Sequence, residues 1–410
     1  MTPAARILAA INILEGLAAS AVPADRYLSE WARANRFAGS ADRRAIAALV
    51  YRAIRLHGYL AAASEGSATP RENIIALLAR EGMEEGAISA VFNGMRHAPA
   101  PLTADERKTI ARAKVKNDDP RENVPAFLVP ELERSLGDAL ADELRALEGR
   151  AQLWVRVNES RMSRDAAMAA LRQLGIDAAP DARAPRALRL SGETAALERH
   201  ALFTSGALVV QDLASQIAAA AMEAKPGMRL VDLCAGAGGK SLALAANMEG
   251  KGTILACDVD GVRLERLTAR AAAAGASNIT TCVLARNWLD NAAPHEAIPE
   301  NFRGSADGLF IDAPCSGSGV WRRNPEAKWR LSPSRLADLN KTQSALLKAA
   351  AHLVKPGGRV LYATCSILRA ENEDVAASAP ASLQPLQSFR LSPARDGTDG
   401  FFVSTFTKTN

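Results

Sequence analysis

The sequence predicts an α/β domain built on a parallel sheet, preceded by an all-helical domain and a small α+β connector. Three observations predict it. From Gly206 onward, short apolar runs alternate with helical stretches, the pattern of strands joined by crossover helices. The first of those strands runs into a glycine-rich turn, Cys234-Ala235-Gly236-Ala237-Gly238-Gly239. The chain before Gly149 carries apolar residues at helical spacing and no alternating strand pattern.

The helical domain, residues 1–149, begins with an amphipathic segment in which Ile7, Ala10, Ile11, Ile13 and Leu14 share a face. Arg6 and Glu15 interrupt it, which argues against a signal peptide. Arg43 to Leu60 reads as a second long helix, and Pro70, Pro99, Pro101, Pro120 and Pro125 mark breaks between shorter ones. Eight arginines against four acidic residues lie between Met1 and Leu60, and Arg43, Arg44, Arg52 and Arg55 form a basic stripe. A solvated helix face explains such a stripe more readily than an RNA contact does, and RNA binding is the sharper reading.

The connector, 150–205, changes character. Leu153 to Asn158 alternates as a strand, Ser163 to Leu174 reads as a helix ended by Gly175, and Ala187 to Leu190 suggests another strand. In 206–410 the strand candidates are Arg229–Leu233, Thr253–Asp258, Ile279–Leu284, Gly308–Asp312 and Gly358–Thr364. Lys240–Met248, Val262–Ala273 and Leu336–Leu353 read as helices, and Gly400 to Thr407 as an edge strand.

Composition limits the function. With 410 residues, 48% hydrophobic and 23% charged, the chain is long enough for two or three ordinary domains. Alanine supplies about a fifth of it, which favours helix. The net charge of +5 and pI near 9.0 permit an anionic partner without requiring one. No run of 18 apolar residues occurs, so no membrane span is expected. The five cysteines, Cys234, Cys257, Cys282, Cys315 and Cys365, contain no C-x-x-C pair. Neither a metal site nor a disulfide framework is expected, and reduced thiols in a cytoplasmic protein are the simple reading.

Glycines in the turn after the first strand let the backbone bend tightly and approach a ligand. The spacing is not that of a phosphate loop. Asp258 lies 26 residues after Asp232, at the end of the second strand, where a carboxylate suits a ribose diol. The alternative for Asp258 is an ordinary helix N-cap. Together the turn and the acid point to an adenosine-containing ligand, either a dinucleotide or S-adenosylmethionine. Two cysteines then follow strand ends closely: Asp312-Ala313-Pro314-Cys315-Ser316-Gly317, and Thr364-Cys365-Ser366. Taken singly, each is more simply buried packing. Together on one rim they fit a thiol-based reaction, for which a dehydrogenase has no use. An amino-group methyltransferase would instead carry Asp/Asn-Pro-Pro-aromatic at this strand end.

These residues resemble the paired signature of the Sun-type RNA cytosine-5 methyltransferases. Gln211 to Gln216, Trp321 to Glu326, Leu353 to Gly358, Glu371-Asn372-Glu373 and Asp399 to Phe402 match further stretches of that family. Ala41 to Arg44 and Leu49 to Arg55 resemble a NusB-like RNA-binding domain. That arrangement is typical of the bacterial Fmu branch, the B-type methyltransferases of 16S ribosomal RNA.

The resemblance implies a Rossmann-like S-adenosylmethionine-dependent methyltransferase domain at 206–410, with RNA as partner; a monomer is expected. It implies Cys365 as nucleophile, Cys315 as the thiol that assists release, Asp312 on the base near nitrogen 3, and Lys240 either contacting the base or assisting the addition. Cofactor contacts fall to Cys234, Ala235, Gly236, Ala237, Gly238, Gly239, Lys240, Asp258, Asn287 and Asp312. Arg322, Arg323, Arg43 and Arg44 are placed for RNA, although Trp321 and Trp329 also suit loop packing. Two positions depart from the family. Gly236-Ala237 stands where Ala-Pro is common, and Asn287 where many members carry Asp.

Overall fold

The computed structural model describes residues 1–64, 69–115, 119–192 and 197–409. It divides into two compact units, Met1–Arg150 with Trp321–Leu331, and Ala151–Val320 with Ser332–Asn410.

The first unit is helical. Its central helix, Pro70–Arg80, starts at a capping box in which Thr69 and Glu72 satisfy each other's backbone N–H groups. Ile74, Ile75 and Leu77 on it are 0% exposed and pack against Ile7, Ile11, Leu14, Ile46 and Val50 from the helices Pro3–Ala18 and Ser40–Arg55. Each such fully buried side chain contributes about 1.5–3 kcal/mol. The expected single helix from Arg43 to Leu60 is instead two, Ser40–Arg55 and His57–Ala63. The cause is Asn123, whose side chain accepts the Gly58 N–H at 3.1 Å and donates to the Arg55 carbonyl at 2.7 Å. A Cβ at Gly58 would lie 2.1 Å from the Glu122 carbonyl oxygen, so only glycine admits this approach.

Trp321–Leu331 lies within 206–410 in sequence, yet it packs with the helical unit. Its side chains reach backbone carbonyls: Lys328 to Asn123 at 2.7 Å, Trp329 to Ile54 at 3.3 Å, and Arg330 to Ser20, Ala21 and Val22 at 3.0–3.2 Å. Burial pushes the Lys328 ammonium down to about 7.

The second unit holds two sheets. The smaller has the order β2-β3-β1-β4 and is antiparallel throughout, with β1 Leu153–Val157, β2 Asp177–Asp181, β3 Ala184–Ser191 and β4 Leu208–Val210. The larger has the order β10-β11-β9-β8-β5-β6-β7. Its strands are β5 Arg229–Asp232, β6 Thr253–Asp258, β7 Ile279–Val283, β8 Ala306–Asp312, β9 Val354–Thr364, β10 Leu383–Leu391 and β11 Phe401–Lys408.

The five from β9 to β7 are parallel, and β11 runs antiparallel to both β9 and β10. Val231, Leu309, Ile311, Val360 and Tyr362 are 0% exposed, as expected of strands covered on both faces. The last strand is therefore not the edge. β10 takes that place, mostly exposed and carrying a register shift between Pro385 and Gln387. The chain leaves β5 toward β6 on one side and later returns to β8 on the other. That reversal puts a ligand crevice at the carboxyl ends of these strands.

Candidate active site

The glycine turn is held closed from below. Gly236 and Gly238 adopt φ of +53° and +81°, a region that costs other residues energy. A Cβ at Gly236 would lie 2.2 Å from the Arg263 guanidinium, and one at Gly238 2.4 Å from Leu267. Arg270 donates to the Ala237 carbonyl at 2.5 Å. Asp258, 7% exposed, accepts the Gly236 N–H at 2.7 Å and the Asp260 N–H at 2.9 Å. Capping of the helix Gly261–Ala274 belongs to Asp260, which accepts from Val262 and Arg263. Asp258 is thus free of the capping task and turned to the glycine loop, with acceptor capacity left for a ribose.

These residues fit S-adenosylmethionine. The tight Gly236–Gly238 turn leads into the N-terminus of the helix Gly239–Asn247, and Asp258 stands beside it. Asn287 is exposed in the turn after β7, and Cys234 lies where β5 gives way to the turn. Burial pushes the Cys234 thiol well up, keeping it protonated.

Lys240 projects from the first turn of that helix. Its Nζ stands 2.6 Å from Asp312 Oδ2, at the end of β8, and 5.2 Å from the Phe401 ring centre. Burial works against the ammonium, but the Asp312 charge and hydrogen bond outweigh it, so its pKa is raised. Asp232 at the end of β5 is 0% exposed. It accepts from the Ser241 hydroxyl at 2.7 Å, while its Oδ1 has no partner. Burial pushes this carboxyl up to about 7. Sequence reasoning used Asp232 only as a strand marker. The signal was there, an acid ending an apolar strand that is covered on both faces.

The two cysteines meet. Cys315 Sγ and Cys365 Sγ are 3.3 Å apart, from the segments that follow the neighbouring strands β8 and β9. The hydrogen bond to Cys365, then burial, then the charges of Cys365 and Glu371, push the Cys315 thiol well above its usual value. Beneath the pair lies a polar cluster that the sequence did not reveal as a site. Glu371, 0% exposed, accepts from the Ser316 N–H (2.8 Å), the Ser316 and Ser366 hydroxyls (2.5 Å each) and the Gln343 side-chain amide (3.1 Å).

The other thiols stand apart from this pair. Cys257 and Cys282 are register neighbours on β6 and β7, and the hydrogen bond from Cys257 holds the half-buried Cys282 thiol down at about 7.

The arginines assigned to RNA are divided. Arg43 and Arg44 lie on the helix Ser40–Arg55, Arg43 half-buried and Arg44 exposed. Of the remaining stripe, Arg52 is paired with Glu81, and Arg55 donates to the Arg322 carbonyl. Arg322 is only 5% exposed, and Arg323 is half-buried. A guanidinium as covered as that of Arg322 offers little surface to a phosphate.

A parallel sheet with a glycine turn after its first strand, an acid ending the second and two thiols meeting beyond the fourth and fifth defines a Rossmann-like S-adenosylmethionine-dependent methyltransferase. The family model "16S rRNA methyltransferase RsmB/F" matches residues 219–388, and a ferredoxin-like domain model of the same group matches 124–196. The chain belongs to the RsmB/F methyltransferase family.

It is 32% identical over 308 residues to the probable ribosomal RNA small subunit methyltransferase B of Synechocystis, covering 75% of this chain and 66% of that one. It is 30% identical to the ribosomal RNA small subunit methyltransferase B of Shewanella oneidensis, covering 79% and 74%. The alignments thus span about two thirds to three quarters of these relatives' length. Among solved structures, PH0851 superposes with a TM-score of 0.78 at 25% identity, over 100% of this chain and 99% of the other. No helix among the described residues is long and apolar enough to cross a membrane.

Proposed function

We propose that this enzyme methylates carbon 5 of a cytosine in RNA, with 16S ribosomal RNA as the substrate, through a covalent Cys365–cytosine adduct. The observation that carries this reading is the pair of sulfurs 3.3 Å apart, beside the Lys240–Asp312 ion pair. Carbon 5 of cytosine is a poor nucleophile. Bonding of Cys365 Sγ to carbon 6 pushes electron density onto it. Bound S-adenosylmethionine supplies a methyl group on a positively charged sulfur. After transfer, the carbon 5 proton leaves to a base, the Cys365–carbon 6 bond breaks, and the thiolate is returned, with Cys315 assisting release.

Asp312 hydrogen-bonds the base near nitrogen 3, and Lys240 balances the charge that collects there. The base must leave its stack to reach such a rim. The helical domain 1–149, with Arg43 and Arg44, holds the RNA, and its resemblance to a NusB-like domain supports that role. The names of the Synechocystis and Shewanella relatives support the ribosomal substrate. Work on ribosomal RNA sets the enzyme in the cytoplasm, where all five thiols stay reduced.

The test is bisulfite mapping of ribosomal RNA from cells with and without the gene. One protected cytosine in 16S RNA that disappears on deletion is the expected result. An unchanged map discards the ribosomal substrate.

A further inference from the structure

We propose that Glu371 is a positioning residue for methyl transfer, a buried carboxylate that clamps the residue after each reacting cysteine and thereby holds the two sulfurs in register. The inference rests on the reading of Cys365 and Cys315 as the reacting pair.

The geometry is unusual in its symmetry. Ser316 directly follows Cys315, and Ser366 directly follows Cys365. Both serine hydroxyls donate to the same oxygen, Glu371 Oε2, at 2.5 Å. Glu371 Oε1 takes the Ser316 N–H and the side-chain amide of Gln343. That amide also donates to the Pro314 carbonyl at 2.9 Å, on the other side of Cys315. The segments are tied a second time. Ser318 Oγ contacts Ser366 Oγ at 2.9 Å, and the Gly319 N–H donates to the Cys365 carbonyl at 3.0 Å. The turn that presents Glu371 is itself anchored. The Tyr362 hydroxyl donates to the Glu371 carbonyl at 2.6 Å, and the Asn372 side chain donates to the Ser366 carbonyl at 2.9 Å.

A carboxylate with no exposure is costly to bury and survives only when its oxygens are satisfied. Here the partners named are hydroxyls and amides, and two of them belong to the residues next to the reactive sulfurs. Both Glu371 oxygens are satisfied, and a buried carboxylate held by this many donors is rigid. Its second effect is electrostatic. The Glu371 charge is one of the causes that keep the Cys315 thiol protonated. Cys315, 3.3 Å from Cys365, is thereby held as a thiol and not as a competing nucleophile.

The experiment has two arms. In the full-length enzyme, Glu371→Gln should lower kcat by about 10–100-fold, the scale of an ångström-sized misplacement of reacting groups. KM for RNA and for S-adenosylmethionine should stay unchanged. In a Cys365→Ala background, Glu371→Gln should move the alkylation of Cys315 by iodoacetamide to lower pH, because the carboxylate charge is gone. The second arm uses no RNA. It reports on Glu371 even if Cys365 proves not to be the nucleophile, an outcome that the absence of any adduct with Cys315→Ala would reveal separately.

Ser316→Ala and Ser366→Ala are the reserve should Glu371→Gln not fold. Each should lower kcat at constant KM, and their losses should not add to that of Glu371→Gln. The proposal is overturned by wild-type kcat in Glu371→Gln or in both serine variants, by a loss residing in KM, or by an unshifted alkylation profile.

Discussion

Lys240 Nζ and Asp312 Oδ2 lie 2.6 Å apart, joining the helix that follows the glycine turn to the end of β8. Lys240 is half-buried, and Asp312 is what keeps its ammonium charged. In Asp312→Asn, burial acts without that opposing charge, and the Lys240 pKa falls. Methyl transfer in this variant should drop at least about 100-fold, the scale seen when a transition-state hydrogen bond is removed. The residual rate should decline further toward alkaline pH. A pH–rate profile checks this, and a residual activity that is flat through pH 9 contradicts the charge-keeping role.

The thiol assignments separate two variants. Cys365→Ala should abolish methylation while RNA binding persists. Cys315→Ala should accumulate a protein–RNA adduct, visible as a slow band on a denaturing gel when RNA and S-adenosylmethionine are both present. Adduct from the Cys365 variant in place of the Cys315 variant would reverse the two roles.

Asp232 makes stability depend on pH. Its folded-state value of about 7 stands above the 3.8 of an exposed aspartate. The native state therefore holds a proton that the unfolded chain has released. The stability this confers is complete below about pH 4 and lost as pH rises through about 7. Its size is on the order of a few kcal/mol, since a tenfold change in proton affinity corresponds to about 1.4 kcal/mol. Asp232→Asn should flatten the fall of Tm between pH 5 and pH 8. An equally steep fall in the variant would place the proton elsewhere.

Gly238→Ala tests the turn. The new methyl would meet Leu267 at 2.4 Å, at a φ of +81°. The turn must open to accept it. S-adenosylmethionine binding, measured by calorimetry, should weaken by about tenfold or more, with circular dichroism showing a retained fold. Unaltered affinity would mean that the turn does not carry the cofactor.

The parallel strands were legible because burial on both faces makes β5, β6, β8 and β9 near-continuous apolar runs between helices. The glycine turn, Asp258 and both cysteines were legible because each sits directly after such a run. Other features depend on partners remote in sequence. The helix break at Leu56 is made by Asn123, and the burial of Arg322 by packing that a charged residue does not advertise. Glu371, Ser316, Ser366 and Gln343 converge from separate segments, and nothing local in any one of them announces the meeting. β10 was hidden by its exposed face and by Pro385, which blurs the alternation of an edge strand.

The Trp321–Leu331 stretch has a consequence for how the enzyme can be divided. Lys328, Trp329 and Arg330 find their hydrogen-bond acceptors on residues between Ser20 and Asn123. A fragment cut at Arg150 would carry this stretch with every one of those acceptors missing, just beyond the Cys315 segment. The two halves are thus not interchangeable cassettes. A swap of the helical portion between relatives has to bring its own version of this stretch along, or leave a buried lysine with nothing to bind.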